Sequence, residues 1–188
     1  MKSKDQLREA IAGRIAAMKQ SERAAESRSI CRRVLEELPP SLDGICLYVP
    51  LKTEVDIADL TQELRSKNIP LYLPRFAANI LEFRRWDDDE SLIKGALNIP
   101  EPPLSAPLLP AQGTVLVVVP GRAFDQKGGR LGRGNGGYDR FIHSYRSMNQ
   151  GVIFWGICFE CQMVREVPLE AHDERVDAVI TARGRQLG

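Results

Sequence analysis

Several features that would assign a function directly are missing from this chain of 188 residues. Its 26 basic and 25 acidic residues leave a formal net charge of +1, so it lacks the positive excess that attracts nucleic acid or anionic membranes. It has no apolar run near the roughly 20 residues of a membrane-spanning helix, and its first residues lack the apolar core of a signal peptide. We therefore expect a cytoplasmic protein with no nucleic-acid or membrane partner. We also expect a monomer, although these features do not bear on the oligomeric state.

Cysteine is also scarce, with four residues in the chain. Cys158 and Cys161 form one C-x-x-C pair, but no second pair completes a zinc site. We expect the cysteines to be reduced structural thiols. With 43% apolar and 27% charged residues, the chain is long enough for one core of ordinary size and short for two. We therefore expect a single domain over residues 1–188.

The beginning of the chain has the spacing of two helices. Apolar residues three or four positions apart predict them, first at Leu7, Ile11, Ile15 and Met18 and then at Ile30, Val34 and Leu38. We expect Ser21 to cap the second helix, because a hydroxyl can accept a bond from the backbone N–H groups of a first turn.

The rest of the chain alternates apolar runs with helical spacing. Strands are predicted at 44–49, 69–73, 80–86, 114–119, 152–159 and 176–181, and helices at 56–67 and 138–146. The proline-rich stretch 87–112 is expected to be an irregular connection. A continuous apolar run such as 115–119 indicates a strand covered on both faces, so we expect a three-layer α/β/α fold with a mostly parallel sheet. In such folds ligands bind outside the carboxyl ends of the strands.

The segment 120–140, called the glycine loop below, has the composition of a phosphate site. It holds seven of the chain's fifteen glycines and five basic residues. Glycines let backbone N–H groups approach an anion closely, and Arg130 and Arg133 can add charge-assisted hydrogen bonds. The spacing matches neither the GxxxxGK[ST] P-loop nor the GxGxxG dinucleotide turn. The loop therefore predicts phosphate binding without indicating the class of ligand.

Short motifs along most of the chain carry a family resemblance. They are KDQLR at 4–8, Tyr48 followed by EVD at 54–56, LPR at 73–75, NIPEP at 98–102, PGRAFDQKGGRLGRGNGGYDR at 120–140, VP at 167–168, HD at 172–173 and VD at 176–177. In these motifs and their order the sequence resembles the 5-formyltetrahydrofolate cyclo-ligase family, also called methenyltetrahydrofolate synthetase. It departs from the loop pattern at Gly137, where that family usually has the first of two tyrosines.

The resemblance implies ATP-dependent closure of 5-formyltetrahydrofolate to 5,10-methenyltetrahydrofolate, with release of ADP and phosphate and with Mg²⁺ as cofactor. It implies a phosphorylated formyl intermediate, which N10 attacks as phosphate departs. It also implies a fold similar to those of phosphosugar isomerases and CoA transferases.

The resemblance assigns roles to individual residues as well. The ATP-binding residues that it implies are Lys4, Arg8, Arg130, Leu131, Gly132, Arg133, Gly134, Asn135, Gly136, Gly137 and Tyr138. The folate-binding residues that it implies are Val49, Glu54, Arg133, Gly134, Asn135, Gly136 and Gly137. Lys4 and Arg133 are expected to be catalytic. Asp139 and Asp177 are expected to hold Mg²⁺, which needs only one or two protein carboxylates beside phosphate oxygens.

Simpler alternatives exist for single residues. Lys4 and Arg8 are one helical turn apart and could be exposed charges. Glu54 could cap the following helix, Asp139 could be a first-turn helix acid, and Asp177 could lie on the surface of an edge strand.

Two other functions also stay open from the sequence. A phosphosugar isomerase on the same type of fold would use the glycine loop without ATP. A paralogue that binds folate or nucleotide without turnover is suggested by the departure at Gly137.

Overall fold

The computed structural model describes residues 3–77, 80–95 and 98–187, with a seven-stranded sheet at the centre. The strands are β1 Gly44–Cys46, β2 Leu71–Ala77, β3 Ile80–Arg85, β4 Ile93–Lys94, β5 Pro100–Glu101, β6 Val115–Val119, β7 Ala123–Phe124, β8 Arg130–Leu131, β9 Val152–Ile157, β10 Ala178–Thr181 and β11 Gly184–Leu187. The helices are α1 Lys4–Ala17, α2 Gln20–Glu36, α3 Ala58–Ser66 and α4 Gly137–Met148.

The large sheet has the order β11-β10-β9-β6-β1-β2-β3. Its five inner strands pair in parallel, and the two edge strands β11 and β3 pair antiparallel. The apolar run of β6 takes the centre, where all five of its residues are buried. The predicted mostly parallel α/β sheet is confirmed. The short edge strand β11 had no counterpart among the predicted strands.

Helices cover both faces of this sheet. Successive side chains of a strand point to opposite faces, so Leu116 and Val118 pack in the cluster with α2 and α3. Val117 and Val119 pack in the cluster with α4 on the other face. This arrangement confirms the three-layer α/β/α architecture. Among the residues that the structure describes, no helix has the length and apolar content to cross a bilayer.

Helix α1 packs on the glycine loop rather than on the large sheet. Within the loop, β7 and β8 form a small antiparallel hairpin. Leu7, Ile11 and Ile15 of α1 bury their side chains in one cluster with Ala123 and Leu131 of this hairpin. The first helix of the chain is thereby held beside a loop more than a hundred residues away, and its polar end reaches the loop.

Local hydrogen bonds decide where the first two helices begin. Ser3 caps α1, since its Oγ accepts from Gln6 N at 3.2 Å and its own N–H donates to the Gln6 side chain at 3.0 Å. The prediction that Ser21 caps the second helix is wrong, because α2 already begins at Gln20. There the Glu22 carboxylate accepts instead from Lys19 N at 2.8 Å.

The cysteines are free, as expected for structural thiols. Burial raises the pKa of the Cys31 thiol to about 11. Burial also raises the pKa of the Cys46 and Cys158 thiols well above the ordinary value. These groups therefore stay protonated and unreactive near neutral pH.

Candidate active site at the glycine loop

A buried carboxylate organises the first half of the glycine loop. Asp125 is 2% exposed. Its Oδ1 accepts from Lys127 N and Gly129 N, both at 2.9 Å, and its Oδ2 accepts from Val167 N at 2.8 Å. The carboxylate therefore holds the turn between β7 and β8 and joins it to a distant segment. Asp125 lies within one of the sequence motifs, but no role was predicted for it.

A buried ion pair lies at the base of the second half of the loop. Arg130 Nη2 is 2.8 Å from Asp139 Oδ1, and the two side chains are only 3% and 12% exposed. Asp139 belongs to the first turn of α4, which follows Gly136 in the left-handed conformation with φ 63°. The first-turn interpretation of Asp139 is therefore correct in position, and the same carboxylate also serves as the partner of a buried arginine.

Two cavities meet at this ion pair. They share the lining residues Arg130, Gly132, Asn135, Gly136 and Asp139. The inner cavity is lined in addition by Tyr48, Val49, Glu54, Phe76, Arg133 and Tyr138. The outer cavity is lined in addition by Lys4, Arg8, Leu131, Gly134, Asp173 and Glu174. Every site residue predicted from the sequence lines one of the two cavities, except Gly137 and Asp177.

The outer cavity contains charged side chains that are already ion-paired. Lys4 Nζ is 2.6 Å from Asp173 Oδ2 and 3.3 Å from Glu170. Arg8 Nε donates to Gly132 O at 3.0 Å, which ties α1 to the loop. The side chains of Lys4 and Arg8 are 20% and 25% exposed, so their interpretation as merely exposed charges is wrong.

The Lys4–Asp173 pair is charged near neutral pH. Burial lowers the pKa of Lys4, but hydrogen bonds and charges from Asp173 and Glu170 outweigh it, so the pKa lies above its ordinary value. Burial raises the pKa of Asp173, but bonds from Lys4 and the Glu170 backbone outweigh it, so that pKa lies below its ordinary value. The cavity therefore offers an ammonium group and an ionised carboxylate at one place.

The inner cavity contains a buried acid held by an arginine. Glu54 is 11% exposed, its Oε1 is 2.8 Å from Arg133 Nη2, and its Oε2 accepts from Leu51 N at 3.0 Å. The interpretation of Glu54 as a helix cap is wrong, because Asp56 Oδ1 accepts the N–H of Ala58, the first residue of α3. The Glu54 carboxylate instead faces the cavity.

An aromatic ring from β2 lies beside Gly137. A Cβ atom at Gly137 would be 3.0 Å from Phe76 Cε1, which is tighter than most real contacts. Phe76 lines the inner cavity, so the cavity keeps an aromatic wall beside the position where the family tyrosine is missing. Phe76 was not among the site residues predicted from the sequence. Its place directly after the LPR motif at 73–75 was the available signal.

Asp177 lies at the amino end of β10, away from the carboxyl ends of the strands that carry the loop. Its Oδ1 is 2.6 Å from Arg146 Nη2, and its Oδ2 accepts from Phe154 N at 2.7 Å. Arg146 is in the last turn of α4, roughly 10 Å along the axis from Asp139 in the first. The structure therefore does not bring Asp177 and Asp139 together. Asp177 is an exposed surface residue, as the alternative interpretation expected, but it does not lie on an edge strand, because β10 lies between β9 and β11.

A comparison of this sequence with models of known protein families identifies its family. A family model described as the 5-formyltetrahydrofolate cyclo-ligase family matches residues 1–182. This chain belongs to that family. The family recognised from the motifs is thereby confirmed, and with it the interpretation of the chain as an enzyme of the cyclo-ligase type.

Individual cyclo-ligases agree with this membership. The 5-formyltetrahydrofolate cyclo-ligase of Haemophilus influenzae is 34% identical over 134 residues, which cover 69% of this chain and 71% of the relative. That of Mycolicibacterium smegmatis is 29% identical over 191 residues, covering 97% and 95%. The solved structure of Aquifex aeolicus 5,10-methenyltetrahydrofolate synthetase matches with a TM-score of 0.82 at 29% identity, covering 98% of this chain and 92% of that one.

The contact between Gly137 and Phe76 gives a first prediction. Gly137→Tyr, which restores the tyrosine usual in the family, is expected to destabilise this protein by about 1–3 kcal/mol, because the added side chain meets the Phe76 ring. Phe76→Ala in the same chain should relieve part of that cost. Thermal unfolding of the wild type, both single variants and the double variant measures the coupling. Additive effects of the two substitutions would contradict the proposed steric conflict.

Proposed function

We propose that this protein uses ATP to close 5-formyltetrahydrofolate to 5,10-methenyltetrahydrofolate, with release of ADP and phosphate. Membership of the cyclo-ligase family supports the reaction. The observation that carries the proposal is the meeting of two cavities at the Arg130–Asp139 pair. Transfer of a phosphoryl group between two bound substrates requires adjoining sites with a shared, charged wall.

The outer cavity is the proposed site of the ATP phosphates. Lys4 and Arg8 approach it from α1, and Arg130 approaches it from β8. Helix α4 begins at Gly137, and its N-terminal N–H groups carry partial positive charge that favours a phosphate. Together these groups supply the donors and the charge that a triphosphate requires.

The inner cavity is the proposed site of the pterin ring. Tyr48 and Phe76 provide aromatic walls, and the Glu54 carboxylate can accept N–H bonds from the ring. Glu54 is paired with Arg133, whose side chain is 38% exposed. We infer that the pterin replaces Arg133 as the partner of Glu54. The released guanidinium can then reach the formyl oxygen and the transferred phosphoryl group.

The proposed chemistry follows from the poor leaving ability of a formamide oxygen. That oxygen attacks the γ-phosphorus of ATP, the bond to the ADP oxygen breaks, and a formyl phosphate ester forms. The N10 lone pair then attacks the formyl carbon, N10 releases its proton to solvent, and the carbon–oxygen bond breaks as phosphate leaves. Arg133 and Lys4 neutralise charge on the transferred group, and the loop holds the reacting atoms close together.

Mg²⁺ fits the carboxylates of the outer cavity. Asp139 and Asp173 both line it and offer hard oxygen ligands, whereas Asp177 lies outside its lining. Among the residues that the structure describes, no cluster of three or more acidic, histidine or cysteine side chains could hold a metal ion. A cation bound largely by phosphate oxygens and water needs no such cluster. When bound, Mg²⁺ neutralises phosphate charge. We therefore propose Asp139 and Asp173 as its protein ligands, in place of the pair Asp139 and Asp177.

This assignment predicts different effects of two aspartate substitutions. Asp173→Asn should raise the Mg²⁺ concentration for half-maximal rate by about tenfold, because a charged ligand is worth about 1.5–3 kcal/mol. Asp177→Asn should leave that concentration unchanged and lower the melting temperature, since it weakens the ion pair with Arg146. Titration of Mg²⁺ at saturating ATP separates the two. If only the Asp177→Asn variant shifted the Mg²⁺ titration curve, Asp139 and Asp177 would be the metal ligands instead.

One assay tests the proposed function against its rivals. The protein is mixed with 5-formyltetrahydrofolate and MgATP, and the methenyl chromophore and ADP are followed together. We expect both products in equal amounts. A paralogue without turnover would bind both ligands and form neither product, and a phosphosugar isomerase would show no ATP dependence. Absence of both products, under conditions in which the Haemophilus influenzae relative is active, would overturn the proposal.

A further inference from the structure

Arg122 lies at the base of the glycine loop, and no role was predicted for it from the sequence. It directly precedes β7, where its N–H donates to Leu131 O at 2.7 Å and its carbonyl oxygen accepts from Gln162 Nε2 at 3.0 Å. Gln162 is 2% exposed. The backbone of Arg122 is therefore fixed on both sides, whereas the residue lies outside the lining of the inner and outer cavities.

The Arg122 guanidinium has a hydroxyl partner but no acidic one. Its Nη1 donates to Thr53 Oγ1 at 3.3 Å, and it forms no ion pair in the part of the chain that the structure describes. Two neighbouring arginines do have acidic partners. Arg8 is 2.6 Å from Asp5, and Arg133 is 2.8 Å from Glu54. Arg122 therefore adds a positive charge that no carboxylate of its own balances.

This charge acts on the ion pair between Glu54 and Arg133. Thr53, which holds the Arg122 guanidinium, is the residue before Glu54. Burial lowers the pKa of Arg122, the charge of Arg133 lowers it further, and the charge of Glu54 opposes both. The Arg122 charge thus repels Arg133 and attracts Glu54. Both effects favour separation of the pair, because Glu54 keeps a cation nearby after Arg133 has left.

We propose that Arg122 is a positioning residue that makes Arg133 exchangeable. A carboxylate that is 11% exposed loses much stabilisation when its ion-pair partner departs, and the Arg122 charge offsets part of this loss. The pterin can then displace Arg133 from Glu54, which frees the guanidinium for the transferred phosphoryl group. The inference rests on the proposed function, because the exchange requires a pterin at Glu54.

Removal of the Arg122 charge tests the inference. Arg122→Gln keeps an N–H donor but no charge, so the pterin would have to break a stronger ion pair. It should raise the KM for 5-formyltetrahydrofolate about three- to tenfold, with kcat and the KM for ATP unchanged. Arg122→Lys keeps the charge and should restore most of the wild-type KM. Arg122→Met, a second uncharged variant, repeats the test if Arg122→Gln does not fold.

Thr53→Val is the matched control for the hydrogen bond. It removes the hydroxyl acceptor and leaves the Arg122 charge in place, so its kinetics should resemble those of the wild type. A rise in KM as large as that of Arg122→Gln would show that Arg122 serves to hold the loop, and it would overturn the electrostatic role.

NMR of the ligand-free protein measures the ion pair without substrate. The Arg133 Nε–H donates to Glu54 Oε1 at 3.3 Å, and Arg133→Lys identifies its signal by removing it. Exchange of this N–H with solvent should be about three- to tenfold slower in Arg122→Gln than in the wild type, because the pair opens less often. Thr53→Val should exchange at the wild-type rate.

The outcomes separate this inference from the proposed function. The positioning role requires both the raised KM and the slowed Nε–H exchange in a folded Arg122→Gln protein. Either change alone, or neither, would overturn it and leave the proposed function intact. A wild type that forms no methenyl product would overturn the proposed function, whatever the Nε–H exchange shows.

Discussion

Arg130→Ala is expected to lower kcat/KM by about a thousandfold or more, the effect of removing an arginine that stabilises a transferred phosphoryl group. In the described part of the chain, Arg130 is the one arginine that lines both the inner and the outer cavity. Its side chain is 3% exposed and lies 5.5 Å from the centroid of the Tyr138 ring, so its position is fixed before substrates bind.

The same substitution should also destabilise the fold. Asp139 is 12% exposed and would lose its ion-pair partner, which costs about 3–5 kcal/mol for a buried pair. Arg130→Lys separates the two effects, since it keeps the charge while losing the planar guanidinium. It should fold more stably than Arg130→Ala and still turn over slowly.

Steady-state kinetics and denaturant unfolding measure the two effects. Arg14→Ala is the control, because Arg14 is exposed on α1, donates to Cys161 O and lies outside both cavities. We expect wild-type kinetics from it. A folded Arg130→Ala or Arg130→Lys protein with more than about a tenth of the wild-type kcat/KM would show that phosphoryl transfer does not depend on this side chain.

The layers of this fold could be predicted from the sequence because each depends on a local pattern. The run 115–119 is apolar at every position, and that pattern requires a strand buried on both faces. The hairpin of β7 and β8 was missed, because two-residue strands are too short to show a period. The prediction of Ser21 as a cap was wrong because several nearby polar residues could cap α2. The choice depends on the bond from Lys19 N to the Glu22 carboxylate, which the sequence does not show.

The site was predictable where composition carries the chemistry. The glycines and arginines of the loop predict phosphate binding wherever the loop lies in the fold. The role of Phe76 was not predictable, because its ring meets Gly137 only through the packing of β2 against α4. Asp173 and Asp177 are four residues apart in the sequence. In the fold, Asp173 lines the outer cavity, whereas Asp177 pairs with Arg146 in the last turn of α4. This separation depends on the direction of β10 and could not be predicted from the sequence.

Asp125→Ala is expected to remove both stability and activity, although Asp125 lines neither cavity. The substitution leaves the N–H groups of Lys127, Gly129 and Val167 without their acceptor. The bonds of Gly129 and Val167 are buried, and each unpaired buried donor costs about 1–3 kcal/mol, so we expect a loss of at least about 2 kcal/mol in the free energy of unfolding.

The catalytic effect follows from what the Asp125 turn supports. Gly129 directly precedes Arg130, and Gly128 has φ 75° with no room for a Cβ. When the carboxylate is lost, the turn keeps the bond from Arg175 Nη1 to Lys127 O at 2.9 Å, but Gly129 N loses its acceptor and Arg130 loses its alignment with Asp139. We therefore expect kcat/KM to fall about a hundredfold even at temperatures where the protein stays folded, because a misplacement of about 1 Å can cost that much.

Asp125→Asn sharpens the test because it keeps the size of the side chain. One of its two terminal atoms is an N–H donor, which must face either Val167 N or the N–H pair of Lys127 and Gly129. It should therefore also be destabilised, by less than Asp125→Ala. The control is Asp43→Ala, which removes an exposed acceptor of Thr114 N far from the loop. It should cost about 0.5–1.5 kcal/mol and leave kinetics unchanged.

Amide hydrogen exchange at Gly129 and Val167 provides the deciding measurement for Asp125. Loss of protection at both amides, together with the loss of kcat/KM, would tie the alignment of Arg130 to this carboxylate. If both amides of a folded Asp125→Ala protein exchanged at the wild-type rate, the role of Asp125 in aligning Arg130 would be contradicted, because the N–H groups would then have found other acceptors. Other contacts of the glycine loop, among them the β7–β8 pairing and the packing of α1, would in that case hold it in place.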